Sequence, residues 1–186
     1  MMVRTELLRI LGMGSERAVA ELAAGIIAAD RAAFDTMLDI CFTEKYPVSM
    51  RAARAVQLCC EQDAAFLLPQ LEAVIPRALS SPVEGVKRSF LKLLGDGIGL
   101  VQLEDPGYLA DTCFRLLSDP GQKPAIRIYA MRILLRLAGT EPELGRELAE
   151  VIRFRDEGEA PSFKICAART LKALEALSQG KTSRII

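Results

Sequence analysis

The 186 residues, 51% apolar and 26% charged, suit one compact domain or one short solenoid, and 24 basic against 24 acidic residues give no net pull toward nucleic acid or anionic membrane. The chain has no histidine and no tryptophan, which excludes Ser-His and Cys-His nucleophiles, histidine metal sites and histidine acid–base work. Its five cysteines are irregularly spaced, with Cys59 and Cys60 adjacent and no C-x-x-C, and read as reduced core thiols.

In chain order, the pattern predicts helices at Val3–Leu11, closed by Gly12 and Gly14, and at Ser15–Ala29. Asp30 can cap a third, Arg31–Glu44, with Phe34, Met37, Leu38 and Cys41 on its apolar side. Pro47 opens a helix that ends near Cys60. Asp63–Leu79 follows, with Pro69 and Pro76 inside it, and Pro76 is expected to kink or shorten it. Ser81-Pro82-Val83-Glu84 is a start signal for a helix that Gly95 ends. Residues 96–104 read as an irregular connection, and Asp105-Pro106 opens a helix through Ser118. A turn at Asp119 precedes the helix Pro124–Ala138. Thr140-Glu141-Pro142-Glu143 opens a helix to about Arg155, Asp156–Pro161 is a polar turn, and Ser162–Gln179 is the last helix. One domain over residues 1–179 and an unstructured tail over 180–186 are expected, with no sheet. Apolar stretches such as Leu22–Ala29 are too short to span a bilayer. Glu6 and Arg9 interrupt what would be a signal core, so a cytoplasmic protein is expected.

The helix PAIRIYAMRILLRLA recurs in outline. Four segments place a proline shortly before an apolar–basic pair: Met50-Arg51, Val86-Lys87, Ile126-Arg127 and Phe163-Lys164, separated by 36, 40 and 37 residues. A period of that size marks a helical-repeat array, because one such unit cannot bury its apolar face alone. Helices then alternate as A (34–43, 64–79, 106–118, 142–155) and B (47–60, 82–94, 124–138, 161–178), joined by short turns into antiparallel pairs. Apolar-[Arg/Lys]-x-x-small-x-x-apolar after a proline resembles HEAT-type repeats over about Ser15–Gln179. The resemblance implies an all-α fold, a right-handed α-α superhelix of four to five helix pairs.

The stretch from Ile126 through Glu141-Pro142-Glu143-Leu144 to Ser162-Phe163-Lys164 is also similar to short bacterial HEAT-like proteins, some of which carry the name adenylosuccinate lyase. That enzyme's mobile serine loop has no counterpart here. Ser80-Ser81-Pro82-Val83 departs from it, and the histidines it depends on are absent. HEAT-like DNA glycosylases resemble a basic cradle with tryptophans, and those tryptophans too are missing. Gly180-Lys181-Thr182 lacks the upstream glycine and following helix of a phosphate loop, and Gly95–Gly99 lacks a preceding strand. Glu143, Glu147 and Glu150, and the cluster Asp156, Glu157 and Glu159, read as solvated surface. No catalytic, metal-binding or cofactor residue is expected.

The basic residues carry the functional signal. The four B segments hold Arg51, Arg54, Lys87, Arg88, Lys92, Arg127, Arg132, Arg136, Lys164, Arg169 and Lys172 against Glu84 and Glu175, so eleven minus two gives +9 there and −9 elsewhere. In HEAT-type arrays B helices line the concave side. Arg51/Lys87/Arg127/Lys164 and Lys92/Arg132/Arg169 form two columns five residues apart in phase, about 140° around a helix. The first is expected to be structural, pairing with acids in turns such as Asp119 and Asp156. The second is expected to face a ligand, with Arg88 and Arg136 beside it. The sequence thus predicts a non-enzymatic scaffold taking an acidic protein or peptide. The alternative is a nucleic-acid or phosphate-ligand binder using the same surface, and an enzyme is a third reading.

Overall fold

The computed structural model describes residues 4–154 and 159–179. Among them the regular structure is helical, with no strand: α1 (Arg4–Gly12), α2 (Arg17–Ala29), α3 (Arg31–Thr43), α4 (Val48–Gln62), α5 (Leu71–Leu79), α6 (Glu84–Gly95), α7 (Gly107–Ser118), α8 (Pro124–Leu137), α9 (Pro142–Phe154) and α10 (Pro161–Ser178). The tail expected at 180–186 lies outside the described residues, as does Asp156.

The helix starts follow the expected chemistry. Asp30 Oδ1 accepts from Ala32 N at 2.9 Å, Asp105 Oδ1 from Gly107 N at 2.8 Å, and Ser81 Oγ from Val83 N at 3.2 Å. The two aspartates each satisfy a backbone donor that the first turn leaves without an intrahelical acceptor. Ser81 holds the turn ahead of α6, which starts at Glu84, so Pro82 is not its first residue as expected. Pro124 and Pro161 occupy first helical positions, where the missing N–H costs nothing.

One expected helix is divided. Residues 64–66 and 68–70 form two 3-10 turns, closed by Leu67 N to Ala64 O at 3.0 Å and Gln70 N to Leu67 O at 3.1 Å, and α5 starts at Leu71. Pro69 sits in the second turn, where its fixed φ and missing donor oppose a regular i→i−4 ladder. Pro76 lies inside α5 and does not end it. Within the connection expected to be irregular, Leu100–Gln102 also forms a 3-10 turn.

The chain forms two compact units, residues 1–93 and 94–186. In the first, α1 and α3 pack against α2 and α4, and α2 lies against α4, so α1/α2 and α3/α4 are successive antiparallel pairs. Its core includes Leu7, Ile27, Phe34, Met37, Ile40 and Leu67, all at or near zero exposure. Gly85 of α6 permits a close approach to α4, since a Cβ there would lie 2.3 Å from Met50 Cγ. In the second unit α7 pairs with α8 and α9 with α10, while α8 and α10 lie side by side. Leu109, Leu117, Met131, Leu134 and Phe163 fill its centre. Burying each such side chain contributes about 1.5–3 kcal/mol.

Cys41, Cys59, Cys60 and Cys113 are buried and Cys166 half-buried, and none is in a disulfide. Burial pushes the Cys41, Cys60 and Cys113 thiols well above the ordinary thiol range.

Candidate basic groove between α8 and α10

The basic residues of α8 divide by depth. Arg127, in the first turn, is 4% exposed. Its Nε donates to Leu117 O at 3.0 Å, and its terminal nitrogens donate to both Glu159 oxygens at 2.7 and 2.6 Å. Its guanidinium also stacks 4.4 Å from the Phe163 ring centroid. A buried bidentate pair with Nε also bonded is a structural arrangement.

Arg51, also of the first column, is tied into the fold without a carboxylate. Arg51 donates to Ser15 Oγ at 2.9 Å and to Leu11 O at 2.8 Å, tying α4 to the α1–α2 turn. The acceptors differ from the expectation. Asp119 accepts from Gly121 N and Gln122 Nε2 of its own loop. Glu159, read from sequence as solvated, is the carboxylate that Arg127 holds. Lys87 and Lys164 have no ion-pair partner among the described residues, and Asp156, the other acid expected to pair with this column, lies outside them.

Of the five residues expected to face a partner, Arg132, Arg136 and Arg169 share one groove of about 570 Å³ between α8 and α10. The remaining walls are Ile128, Leu135, Ile165, Cys166, Ala173 and two hydroxyl residues, with no acid among the lining residues. Ile165 is 56% exposed, large for an apolar side chain on a helix face. Arg132 Nη2 meets Asp96 Oδ1 at 2.7 Å, and Arg136 Nε donates to Gly95 O at 3.0 Å. Both arginines therefore hold the loop that follows α6 while keeping further N–H donors, since a guanidinium has five. Gly97 in that loop has φ +95°, a left-handed conformation that favours glycine. Arg169 is exposed and has no ion-pair partner among the described residues. Burial raises the Cys166 thiol, opposed by a hydrogen bond with Thr170 and by the Arg132 and Arg169 charges.

The other two expected residues belong to the first unit. Lys92 pairs with Glu61 of α4, and Arg88 is exposed on a separate cavity. Sequence reasoning placed the matching acids elsewhere. They were missed because α4 extends to Gln62, which brings Glu61 onto a B helix and lowers the tally from +9 to +8, eleven basic minus three acidic. Asp96 falls one residue beyond α6. A partner about one repeat away is the signal that finds these contacts: Arg51 to Ser15, Arg127 to Glu159 and Lys92 to Glu61 are separated by 36, 32 and 31 positions.

A family model described as a HEAT repeat domain matches residues 5–174. The chain belongs to the HEAT repeat family. The match takes in α1 and α2, so this HEAT array begins one helix pair before the four recurrent segments. No curated protein and no solved structure matches the chain. HEAT repeats generally mediate protein interactions, and an interaction scaffold is the functional class that the family suggests for this protein. Among the described residues no helix is long and apolar enough to cross a membrane, and no group of histidine, cysteine, aspartate or glutamate is placed to hold a metal.

Proposed function

We propose that this HEAT protein is a non-enzymatic scaffold whose α8–α10 groove binds an acidic, amphipathic peptide segment of a partner protein. The observation that carries the reading is a groove with three arginines and no carboxylate, next to Ile128, Leu135 and Ile165. A helix with acids on one face and an aliphatic residue beside them complements both features. Arg169 offers an uncommitted guanidinium, and Arg132 and Arg136 are oriented by the loop they hold. Buried, unpaired thiols accord with a cytoplasmic setting.

Titration of the full chain with a labelled peptide bearing glutamates at helical i, i+4 spacing and leucines between them tests this. Binding is expected to weaken as salt rises, because screening acts beyond about 8 Å at physiological ionic strength. Arg169→Gln combined with Arg132→Gln is expected to weaken it at least tenfold, about 1.4 kcal/mol. Equal affinity for the double variant, or tighter binding of an oligonucleotide of the same charge, would reject an acidic peptide as the occupant.

A further inference from the structure

The first unit contains a second, smaller basic cavity that the groove reading does not use. It has a volume of about 190 Å³ and opens among α2, α4 and α6. Arg51, Arg54, Arg88 and Ser89 are among its lining residues. Leu11, Val19, Ala20 and Met50 supply an apolar wall.

Three observations bear on what it holds. In the same unit Arg4, Arg17 and Arg31 each hold a carboxylate, whereas Arg54 and Arg88 have no ion-pair partner among the described residues. Arg54 is half-buried, so its charge is partly desolvated without compensation from the protein. Ser89 is 5% exposed and borders the cavity. A serine hydroxyl beside unpaired arginines can donate a hydrogen bond to an oxyanion that they hold. The lining carboxylate, Glu16, is exposed and lies against Gly14. Against it stand three arginines, a local excess of two positive charges. The volume is below the roughly 300–1,000 Å³ of pockets for drug-sized ligands and suits a single group.

We infer that this cavity is a binding site for one anionic oxygen group, a carboxylate or a phosphate, carried on a short aliphatic stem. Arg54 and Arg88 supply the charge, Ser89 donates one hydrogen bond, and the wall from Met50 to Val19 covers the stem. Arg51 is held by Ser15 and Leu11 and adds charge from a fixed position. The inference rests on the first unit alone and stands or falls separately from the α8–α10 groove.

The test is nuclear magnetic resonance of the full chain titrated with inorganic phosphate and, separately, acetate, each at constant ionic strength against chloride. Saturable shifts of Arg54, Arg88 and Ser89 signals with at least one anion are expected. Binding of phosphate alone assigns a phosphate-bearing ligand, and binding of both assigns a general oxyanion site. Arg54→Gln with Arg88→Gln should abolish the shifts, and Arg169→Gln should leave them unchanged. Ser89→Ala, a small change that keeps the helix, should weaken the fitted affinity about tenfold, as expected for a hydrogen bond to a charged group. It carries the test if the double variant misfolds. The inference fails if chloride produces the same shifts, or if Ser89→Ala leaves the affinity unaltered.

Discussion

Arg127 and Arg169 stand on neighbouring helices of one unit and do opposite things. Arg127 is sealed beneath Phe163, with its donors on Leu117 O and Glu159. Arg169 projects into an open groove among Arg132, Arg136 and Ile165. Residue type and position in the repeat do not decide the role. Desolvation does. A buried guanidinium must be paired to be tolerated, and an exposed one is free to meet a partner at little cost to folding.

The largest effect comes from a buried charge with no partner at all. Leu134 has zero exposure in the middle of α8. Leu134→Asp should cost more than about 4 kcal/mol, combining a cavity with a desolvated carboxylate. Circular dichroism should show loss of the α7–α10 helices. Whether α1–α5 melt with them tests the proposal that residues 1–179 are one cooperative domain. A single transition supports it, and a surviving half argues against it.

Next comes the buried pair itself. Arg127→Ala strands Glu159, whose side chain is 14% exposed, and should cost about 3–5 kcal/mol in urea unfolding. A cost under about 1 kcal/mol would place Arg127 with the surface arginines and remove the contrast with Arg169.

The thiols show the same rule through pH. Burial raises the folded-state values of Cys41, Cys60 and Cys113 above the unfolded one, so the folded chain resists losing these protons. Their contribution is therefore fully present below the unfolded thiol value near 8.5 and is lost as pH rises above it. Each thiol should remove about 1.4 kcal/mol per pH unit there. Urea midpoints from about pH 8 to about pH 10 should fall, and Cys113→Ala should flatten the slope. An unchanged slope would mean that Cys113 reaches solvent.

The smallest effect is expected at Arg169. Arg169→Gln should change stability by no more than about 0.5 kcal/mol, as is usual for an exposed side chain without partners. A larger loss would show that Arg169 also holds the fold.

The repeat was legible because its markers are local. A proline, an apolar–basic pair and a capped start recur at near-constant spacing, and each acts within one helix turn. The 3-10 segment at 64–70 was not legible. Leu67, Leu71, Val74 and Ala78 keep a helical spacing of buried positions through it, so periodicity alone reads one continuous helix. In the site, clustering of Arg132, Arg136 and Arg169 followed from phase on successive B helices. Their anchoring was hidden because Asp96 and Gly95 lie about one repeat earlier, outside any local window. Glu159 was misread for the same reason. An acid in a polar turn looks solvated until α8 brings Arg127 against it, 32 positions away.

A charge-swap titration tests the central claim most directly. Arg132→Glu with Arg169→Glu should reduce affinity for the glutamate-bearing peptide at least tenfold, and a peptide with lysines at the same positions should regain most of that loss. Recovery would place the peptide's charges against these arginines. Loss of binding to both peptides by a protein that remains folded would contradict the groove as the contact surface.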